Sequence, residues 1–190
     1  MTTLIRPLQR TALAACALAA LLLTGCGGTK PAAGDDPAEV ARTSLTAVGD
    51  EAPAFTAPLL GGGTFDLAAV RGRIVLVNFF ATWCPPCQAE MPHLQAQVWE
   101  RFGADPGFAM VSVAREETPE IVAPFVAKYG AGWPFAVDVD RTVYARYAEA
   151  YIPRSYVIDR EGRIVLQTQG YEEAEFAAMV AAIEGLLAAR

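Results

Sequence analysis

The sequence predicts an α/β fold with a central mixed β-sheet flanked by helices. Short apolar runs, typical of strands covered on both faces, alternate with segments in which apolar residues recur at helical spacing. The chain then closes with a hairpin pattern and one more helix. Because alternating strands and helices favour parallel pairing and a hairpin adds antiparallel pairs, we expect a mixed sheet.

The first half of the globular pattern contains a hairpin, a buried strand and a helix. Residues 54–59 and 64–67 flank three glycines and form the predicted N-terminal hairpin. Residues 74–80 form an almost continuous apolar run, which predicts a central strand. A helix is expected over about 86–102. Its apolar residues at helical spacing are Met91, Leu94, Val98 and Phe102.

The second half continues the alternation to the end of the chain. The predicted elements are, in order, a strand at 108–113, a helix at 119–129, a strand at 134–139, a short helix at 143–147, hairpin strands at 155–158 and 163–168, and a helix at 173–189. The last helix has an apolar face formed by Phe176, Val180, Ile183 and Leu187.

Residues 1–25 have the pattern of a secretory signal peptide. Two arginines precede an apolar stretch at 11–23, which is too short for a comfortable membrane span. The sequence Leu23-Thr24-Gly25-Cys26 resembles the lipobox of bacterial lipoproteins, which implies cleavage before Cys26 and lipidation of that cysteine. A signal anchor with an incidental cysteine is the alternative. Residues 26–48 are small and polar and predict a flexible tether, which leaves 49–190 as the folded domain.

The charge distribution argues against nucleic acid as a partner. The chain has a formal charge of −6 and no basic stripe. Removal of the leader with its two arginines leaves thirteen basic and twenty-one acidic residues, a charge of −8. Anionic head groups give such a domain little help, so we expect membrane attachment through the lipid.

Only two of the four cysteines remain in the predicted domain. Cys16 belongs to the leader and Cys26 to the lipobox, which leaves Cys84 and Cys87. Two cysteines this close cannot staple a long loop, so in an oxidising compartment the pair is expected to be reactive.

The Cys pair lies where the strand at 74–80 turns into the next helix. At a helix N-terminus, unpaired N–H groups and the macrodipole stabilise the thiolate of Cys84. Cys87, one turn later, can resolve a mixed disulfide formed at Cys84. Trp83 is expected to shield one side of the site.

Half of a zinc site is the alternative use for this pair. A structural zinc needs four ligands, and the predicted domain offers only Cys84, Cys87 and His93. We therefore expect no metal and no organic cofactor, the redox group being the Cys84–Cys87 disulfide itself.

The segment Val77-Asn78-Phe79-Phe80-Ala81-Thr82-Trp83-Cys84-Pro85-Pro86-Cys87 resembles the active-site segment of the thioredoxin superfamily. The closer resemblance is to its TlpA/ResA-like branch. Glu90 completes a Cys-x-x-Cys-x-x-Glu pattern, Tyr151-Ile152-Pro153 stands before a strand, and 119–139 matches the insertion of that branch. The resemblance extends from about residue 49 to the C-terminus. It implies a thioredoxin-like fold with an N-terminal β-hairpin and a central α/β insertion, and thiol–disulfide oxidoreductase activity.

The resemblance also implies a place of action and a set of partners. We expect the domain to face the periplasm or another extracytoplasmic space of the bacterial cell envelope, as a monomer. Implied substrates are apocytochrome c, its maturation factors, or copper-site proteins. Electrons would come from a membrane thiol transporter, so the expected role is that of a reductant in cytochrome c biogenesis or a similar process.

By resemblance, Pro153 follows a cis peptide bond and lies beside the dithiol. This arrangement exposes the backbone of Ile152 to an extended substrate segment, so Trp83, Ile152 and Pro153 are the expected substrate contacts. An ordinary trans turn proline is the alternative. Arg154 stands where the family usually has a small hydroxyl residue, and we expect its charge to favour acidic partners or to assist the thiolate.

Glu90 is the candidate for proton transfer. Thioredoxin carries a buried aspartate six residues before its first cysteine, but that position is Asn78 here, and an amide cannot take a proton. Glu90 lies one helical turn after Cys87 beside apolar residues, where burial would raise its pKa. The alternative is an exposed acid favoured by the helix dipole.

The residues between the cysteines favour a reductant. Pro85 and Pro86 have no N–H and no charge, so they stabilise a Cys84 thiolate less than donors at those positions would. Strong oxidants are enzymes whose reduced form is specially stabilised.

Two other functions remain as alternatives. A peroxiredoxin-like thiol peroxidase needs Pro-x-x-x-Thr/Ser-x-x-Cys, but Val77 and Ala81 occupy the positions of the proline and the hydroxyl residue. A copper chaperone of the Sco type needs Cys-x-x-x-Cys and a distant histidine, and the sequence has neither.

Overall fold

The computed structural model describes residues 37–189 and has a five-stranded mixed sheet at its centre. The helices and strands are α1 Pro37–Thr43, β1 Thr56–Pro58, β2 Thr64–Asp66, β3 Ile74–Phe80, α2 Pro85–His93, α3 Glu100–Phe102, β4 Phe108–Arg115, α4 Pro119–Tyr129, β5 Phe135–Asp138, β6 Arg154–Ile158, β7 Ile164–Gln169 and α5 Glu173–Ala188. Single 3₁₀ turns lie at Ala68–Val70 and Tyr144–Arg146. All the elements predicted after residue 49 are present with bounds within two residues of the prediction, except that the single helix predicted over 86–102 is interrupted.

The sheet has the order β5-β4-β3-β6-β7, with β3 in the centre. Strands β3, β4 and β5 are parallel, whereas β6 and β7 pair antiparallel, so the prediction of a mixed sheet is confirmed. Every residue of β3 is buried, as its apolar run predicted. The β1–β2 hairpin forms a separate two-stranded sheet.

Alternation along β3 divides the core between the two faces of the sheet. Leu76 and Phe80 belong to one cluster, which also receives the buried residues of α2, α4 and α5. Val77 and Phe79 belong to a second cluster, covered by the hairpin and by the 3₁₀ turn at Tyr144–Arg146. The side chains of successive residues point to opposite faces, so the face of a residue on β3 or β6 is known from its neighbours.

The long predicted helix is interrupted after α2. Residues Leu94–Trp99 form a wider π-helical turn before α3. Pro92 lies inside α2 and has no N–H for the carbonyl four residues earlier, so the regular ladder is already broken there. The four predicted apolar residues are nevertheless all buried.

The N-terminal part of the described chain differs from the predicted tether. Helix α1 occupies part of it, and Ser44 bridges to Ala148. The Leu45 N–H donates to the Tyr147 carbonyl at 3.0 Å, and Thr46 is buried. These contacts order a segment that has no apolar pattern of its own. The predicted leader, Cys26 and the tether to residue 36 lie outside the described residues. Within 37–189, no helix has the length and apolar character needed to span a bilayer.

Candidate active site

Cys84 and Cys87 lie at the turn from β3 into α2, at the edge of the sheet where the parallel strands end. Cys84 is the N-cap of α2, and its Sγ accepts a hydrogen bond from the Cys87 backbone N–H at 3.3 Å. The sulfurs form a disulfide with Cα atoms 5.2 Å apart. Cys84 retains 3% exposure whereas Cys87 has none, so Cys84 is the more accessible of the two.

Thr82 is held from two sides just before the Cys pair. The Glu117 carboxylate accepts hydrogen bonds from the Thr82 N–H at 2.8 Å and from its hydroxyl at 2.5 Å. Gln88 Nε2 donates to the Thr82 carbonyl at 2.7 Å. Sequence analysis did not assign Glu117 to the site, yet its side chain is buried there. The parallel pairing of β3 and β4 could have indicated the contact between Thr82 and Glu117, because it brings the segments that follow the two strands to the same edge of the sheet.

Glu90 is buried on α2, three residues after Cys87. It is 2% exposed, and its Oε2 accepts a hydrogen bond from Asn78 Nδ2 at 3.0 Å. Burial raises the pKa of Glu90 to about 8, against the opposing effect of hydrogen bonds from Asn78 and Ser155. The burial of Glu90 agrees with the predicted direction of its pKa and excludes the alternative of an exposed acid.

Asn78 connects Glu90 to a buried polar network that sequence reasoning missed. Its Nδ2 also donates to Ser155 Oγ, and its Oδ1 accepts from Ser112 Oγ, both at 3.0 Å. Trp133 Nε1 donates to Ser112 Oγ at 2.8 Å. Both serines are the register partners of Asn78 on the neighbouring strands, which explains how residues so distant in sequence meet.

The segment before β6 faces the Cys pair. The Ile152–Pro153 peptide bond is cis, as the resemblance implied. The Ile152 carbonyl oxygen lies 3.6 Å from Cys84 Sγ. Trp83 is 62% exposed, so it borders the site as a surface aromatic residue more than as a cover. The structure therefore brings together Cys84, Cys87, Ile152, Pro153 and Trp83 at one edge, with Glu90 beneath.

Arg154 does not take part in this edge. It pairs with Phe79 across β3 and β6, and Phe79 belongs to the cluster on the other face of the sheet from the Cys pair. Its side chain is buried there. The expectation that its charge assists the thiolate or attracts acidic partners is therefore wrong.

The described residues offer no cluster of three or more His, Cys, Asp or Glu side chains that could hold a metal ion. Val77 and Ala81, at the positions of the peroxidase motif, are both buried and apolar.

The fold and the Cys pair define a thioredoxin-like thiol–disulfide oxidoreductase. The AhpC/TSA family model matches residues 48–167. The ResA thiol–disulfide oxidoreductase of Bacillus thuringiensis is 32% identical over 128 residues, which cover 67% of this chain and 73% of that protein. The chain belongs to the AhpC/TSA family and, within it, to the TlpA/ResA-like thiol–disulfide oxidoreductases.

Solved structures agree with this assignment. A solution structure from Bacteroides thetaiotaomicron, named as a candidate protein disulfide isomerase, superposes with a TM-score of 0.75 at 35% identity and covers 77% of this chain and 93% of its own. A secreted disulfide oxidoreductase of Mycobacterium tuberculosis, homologous to E. coli DsbE, has a TM-score of 0.57 at 29% identity and covers 67% and 95%. The prediction of a thioredoxin-like fold is confirmed.

Proposed function

We propose that the chain is a lipid-anchored, extracytoplasmic reductase of protein disulfides in which Cys84 is the nucleophile. The observation that carries this proposal is the position of Cys84. Its Sγ caps α2, accepts the Cys87 N–H and faces the Ile152 carbonyl at the exposed edge of the site. A helix N-terminus stabilises a thiolate, which is the reactive form.

The reaction is a two-electron exchange between two dithiol–disulfide pairs. The Cys84 thiolate attacks one sulfur of the substrate disulfide, and the other substrate sulfur leaves as a thiolate that takes up a proton. Cys87 then loses its proton and attacks Cys84 Sγ, which releases the second substrate thiolate. The substrate gains two electrons and two protons, and the enzyme is left with the Cys84–Cys87 disulfide.

Glu90 is the proposed acceptor of the Cys87 proton. Cys87 is fully buried, and Glu90 follows it by three residues on the same helix. With a pKa of about 8, Glu90 exchanges a proton in the same pH range as a thiol. Asn78 holds the carboxyl group in place and has no proton-accepting role of its own.

The substrate edge consists of Trp83, Ile152 and Pro153. An extended segment of a substrate protein can pair with the backbone at Ile152, which places its disulfide over Cys84. Trp83 offers an exposed aromatic surface beside this segment.

The proposed direction of electron flow follows from the donors around Cys84. Among residues 85–87 only Cys87 has an N–H, and that N–H is the one directed at Sγ. Fewer donors stabilise the thiolate less, which favours a reductant. The predicted leader and Cys26, and the secreted relative, support action outside the cytoplasm with a lipid anchor, and we propose that the domain acts as a monomer. The proposed substrates are apocytochrome c, its maturation factors or copper-site proteins, with a membrane thiol transporter as electron donor.

Insulin reduction by the full-length chain tests the activity. We expect the wild-type chain to reduce insulin with dithiothreitol as electron source, and Cys84→Ser to abolish the reaction. Hydrogen peroxide turnover and copper(I) affinity, measured on the same samples, test the peroxidase and the copper chaperone. Efficient peroxide turnover without insulin reduction contradicts the proposal.

A further inference from the structure

Arg154 is a buried cation whose hydrogen-bond acceptors within residues 37–189 are uncharged. It is only 2% exposed. Its donors reach the Ala150 carbonyl at 3.0 Å, Ser44 Oγ at 2.8 Å, Thr43 Oγ1 at 2.9 Å and Gln169 Oε1 at 2.9 Å. A buried charge is costly unless its N–H groups are hydrogen bonded, so these four bonds fix the groups that they reach.

One side of the Arg154 guanidinium holds the segment that carries the substrate edge. The Ala150 carbonyl that accepts from Nε also accepts from the Tyr144 hydroxyl at 2.6 Å. The same hydroxyl contacts the Tyr151 carbonyl. Residues 150 and 151 directly precede Ile152, whose carbonyl faces Cys84. The segment is therefore held from behind, through the face of the sheet opposite the Cys pair.

The other side of the guanidinium holds the N-terminal segment 43–46. Thr43 Oγ1 accepts from Arg154 and donates to the Glu39 carbonyl of α1 at 3.1 Å. The Thr43 carbonyl in turn accepts from the Glu149 N–H at 2.8 Å, next to Ala150. The hydroxyls of Thr43 and Ser44 thus bind the same cation that holds the Ala150 carbonyl, two residues before Ile152.

We infer that Arg154 is a positioning residue that couples segment 43–46 to the Ile152 edge, so that the segment leading from the N-terminus holds in place the edge that binds protein disulfides. This inference rests on the proposed function, because it assigns a task to the edge beside Cys84. A substrate that pairs with the Ile152 backbone depends on this coupling, whereas a small disulfide needs only access to Cys84 Sγ.

The test measures kcat/KM of the full-length chain for two disulfides, insulin and hydroxyethyl disulfide. The variant Thr43→Val/Ser44→Ala removes both hydroxyls but leaves Arg154 in place, and Ser44→Ala alone is the milder version. Thr56→Val, an exposed threonine of the hairpin, is the matched control. Hydrogen bonds to a buried charge are stronger than those between neutral groups, so losing two of them loosens the hold on the segment. We therefore expect the double variant to lose about tenfold in kcat/KM for insulin, mainly through KM, and less than twofold for hydroxyethyl disulfide.

A variant cycle separates coupling from general destabilisation. Arg154→Thr, which installs a small hydroxyl residue, should weaken insulin reduction by a similar factor. Arg154→Lys should lose less activity, because it keeps the positive charge, but it should not reach the wild-type rate because an ammonium cannot match the guanidinium fork. Adding Thr43→Val/Ser44→Ala to Arg154→Thr should cause no further loss, because coupled residues are not additive. Equal losses for both disulfides, or additive losses, overturn the inference.

Amide hydrogen exchange of residues 148–153 provides a readout that does not depend on activity. Faster exchange in Thr43→Val/Ser44→Ala than in Thr56→Val supports the coupling, and unchanged exchange contradicts it. If wild-type chain reduces neither disulfide, the proposed function fails, and the exchange measurement still decides whether segment 43–46 holds the edge.

Discussion

Asn78 Nδ2 lies 3.0 Å from Glu90 Oε2 in the interior of the protein, beneath the Cys pair. The other N–H of the same amide is directed at Ser155. An amide at this position of β3 can hold a carboxyl group but cannot titrate, so the only ionisable member of this contact is on α2. Acid–base chemistry at this site therefore depends on Glu90.

Glu90→Gln should change how stability depends on pH. The pKa of Glu90 is raised from 4.5 to about 8 in the folded chain, so between these values the folded state holds a proton that the unfolded state has lost. The free energy of unfolding should fall as pH rises through this window, by about 1.4 kcal/mol per pH unit from this group. Urea unfolding at pH 5 to 8 should show this fall in wild type and not in Glu90→Gln. If the free energy of unfolding depends on pH in the same way in both chains, Glu90 does not titrate with a raised pKa in the folded state.

The same variant tests proton transfer to the dithiol. Above pH 8 an ionised Glu90 disfavours a thiolate nearby, so titration of the reduced chain should show a lower apparent pKa for the buried Cys87 in Glu90→Gln than in wild type. The rate at which Cys87 resolves the mixed disulfide, followed by stopped flow, should fall in Glu90→Gln, because an amide cannot accept the Cys87 proton. Unchanged thiol pKa values are incompatible with a role for Glu90.

Glu117→Gln should slow attack by Cys84. A glutamine oxygen cannot replace the charge that accepts both the N–H and the hydroxyl of Thr82. We expect about a tenfold loss in the rate of insulin reduction, on the scale of one buried charge-assisted bond. Glu116→Gln is the control, because Glu116 is the neighbouring acid, is half exposed and makes no contact with Thr82 among the described residues, so solvent screens its pairing with Arg115. Equal effects of the two variants contradict the role assigned to Glu117.

Trp83→Ala should weaken substrate binding without affecting the fold. Trp83 is 62% exposed, and surface substitutions of this kind change stability by about 0.5 kcal/mol or less. KM for insulin should rise several-fold while the melting temperature stays the same. Val48→Ala, another exposed apolar residue next to Gly49 at the opposite edge of the sheet, should change neither quantity. A Trp83→Ala chain with unchanged KM excludes Trp83 from the substrate contact.

Pro86→His should make the dithiol more oxidising. The variant adds an N–H and a titratable cation next to the Cys84 sulfur, and both stabilise the reduced thiolate form. The reduction potential should rise by tens of millivolts, since about 30 mV corresponds to about 1.4 kcal/mol for a two-electron couple. Pro58→His, at an exposed proline of β1, is the control. A lower or unchanged potential contradicts the argument from the two prolines.

The sequence predicted the sheet and the Cys pair because both depend on local patterns. An almost continuous apolar run is enough to identify β3, and prolines after a cysteine mark the start of α2. The polar network was not predicted, since Ser112 and Ser155 meet Asn78 only through strand register.

Two further differences between the prediction and the structure, at Arg154 and at helix α1, have identifiable causes. The direction of the Arg154 side chain was accessible from alternation, because the neighbouring Ser155 faces Asn78 and successive residues of a strand point to opposite faces. Helix α1 could not be predicted from the sequence, because seven residues without an apolar period do not form a stable helix alone. Its order depends on contacts with the rest of the domain, among them the bond from Arg154 to Thr43.

The central claim is that Cys84 attacks protein disulfides and Cys87 releases them. It is tested most directly by expressing Cys87→Ser in intact cells, quenching with acid, and analysing the chain by non-reducing electrophoresis. We expect disulfide-linked adducts through Cys84 that dithiothreitol releases and that are absent from Cys84→Ser/Cys87→Ser. Recovery of no disulfide-linked partner, or adducts that persist in the double variant, would contradict it.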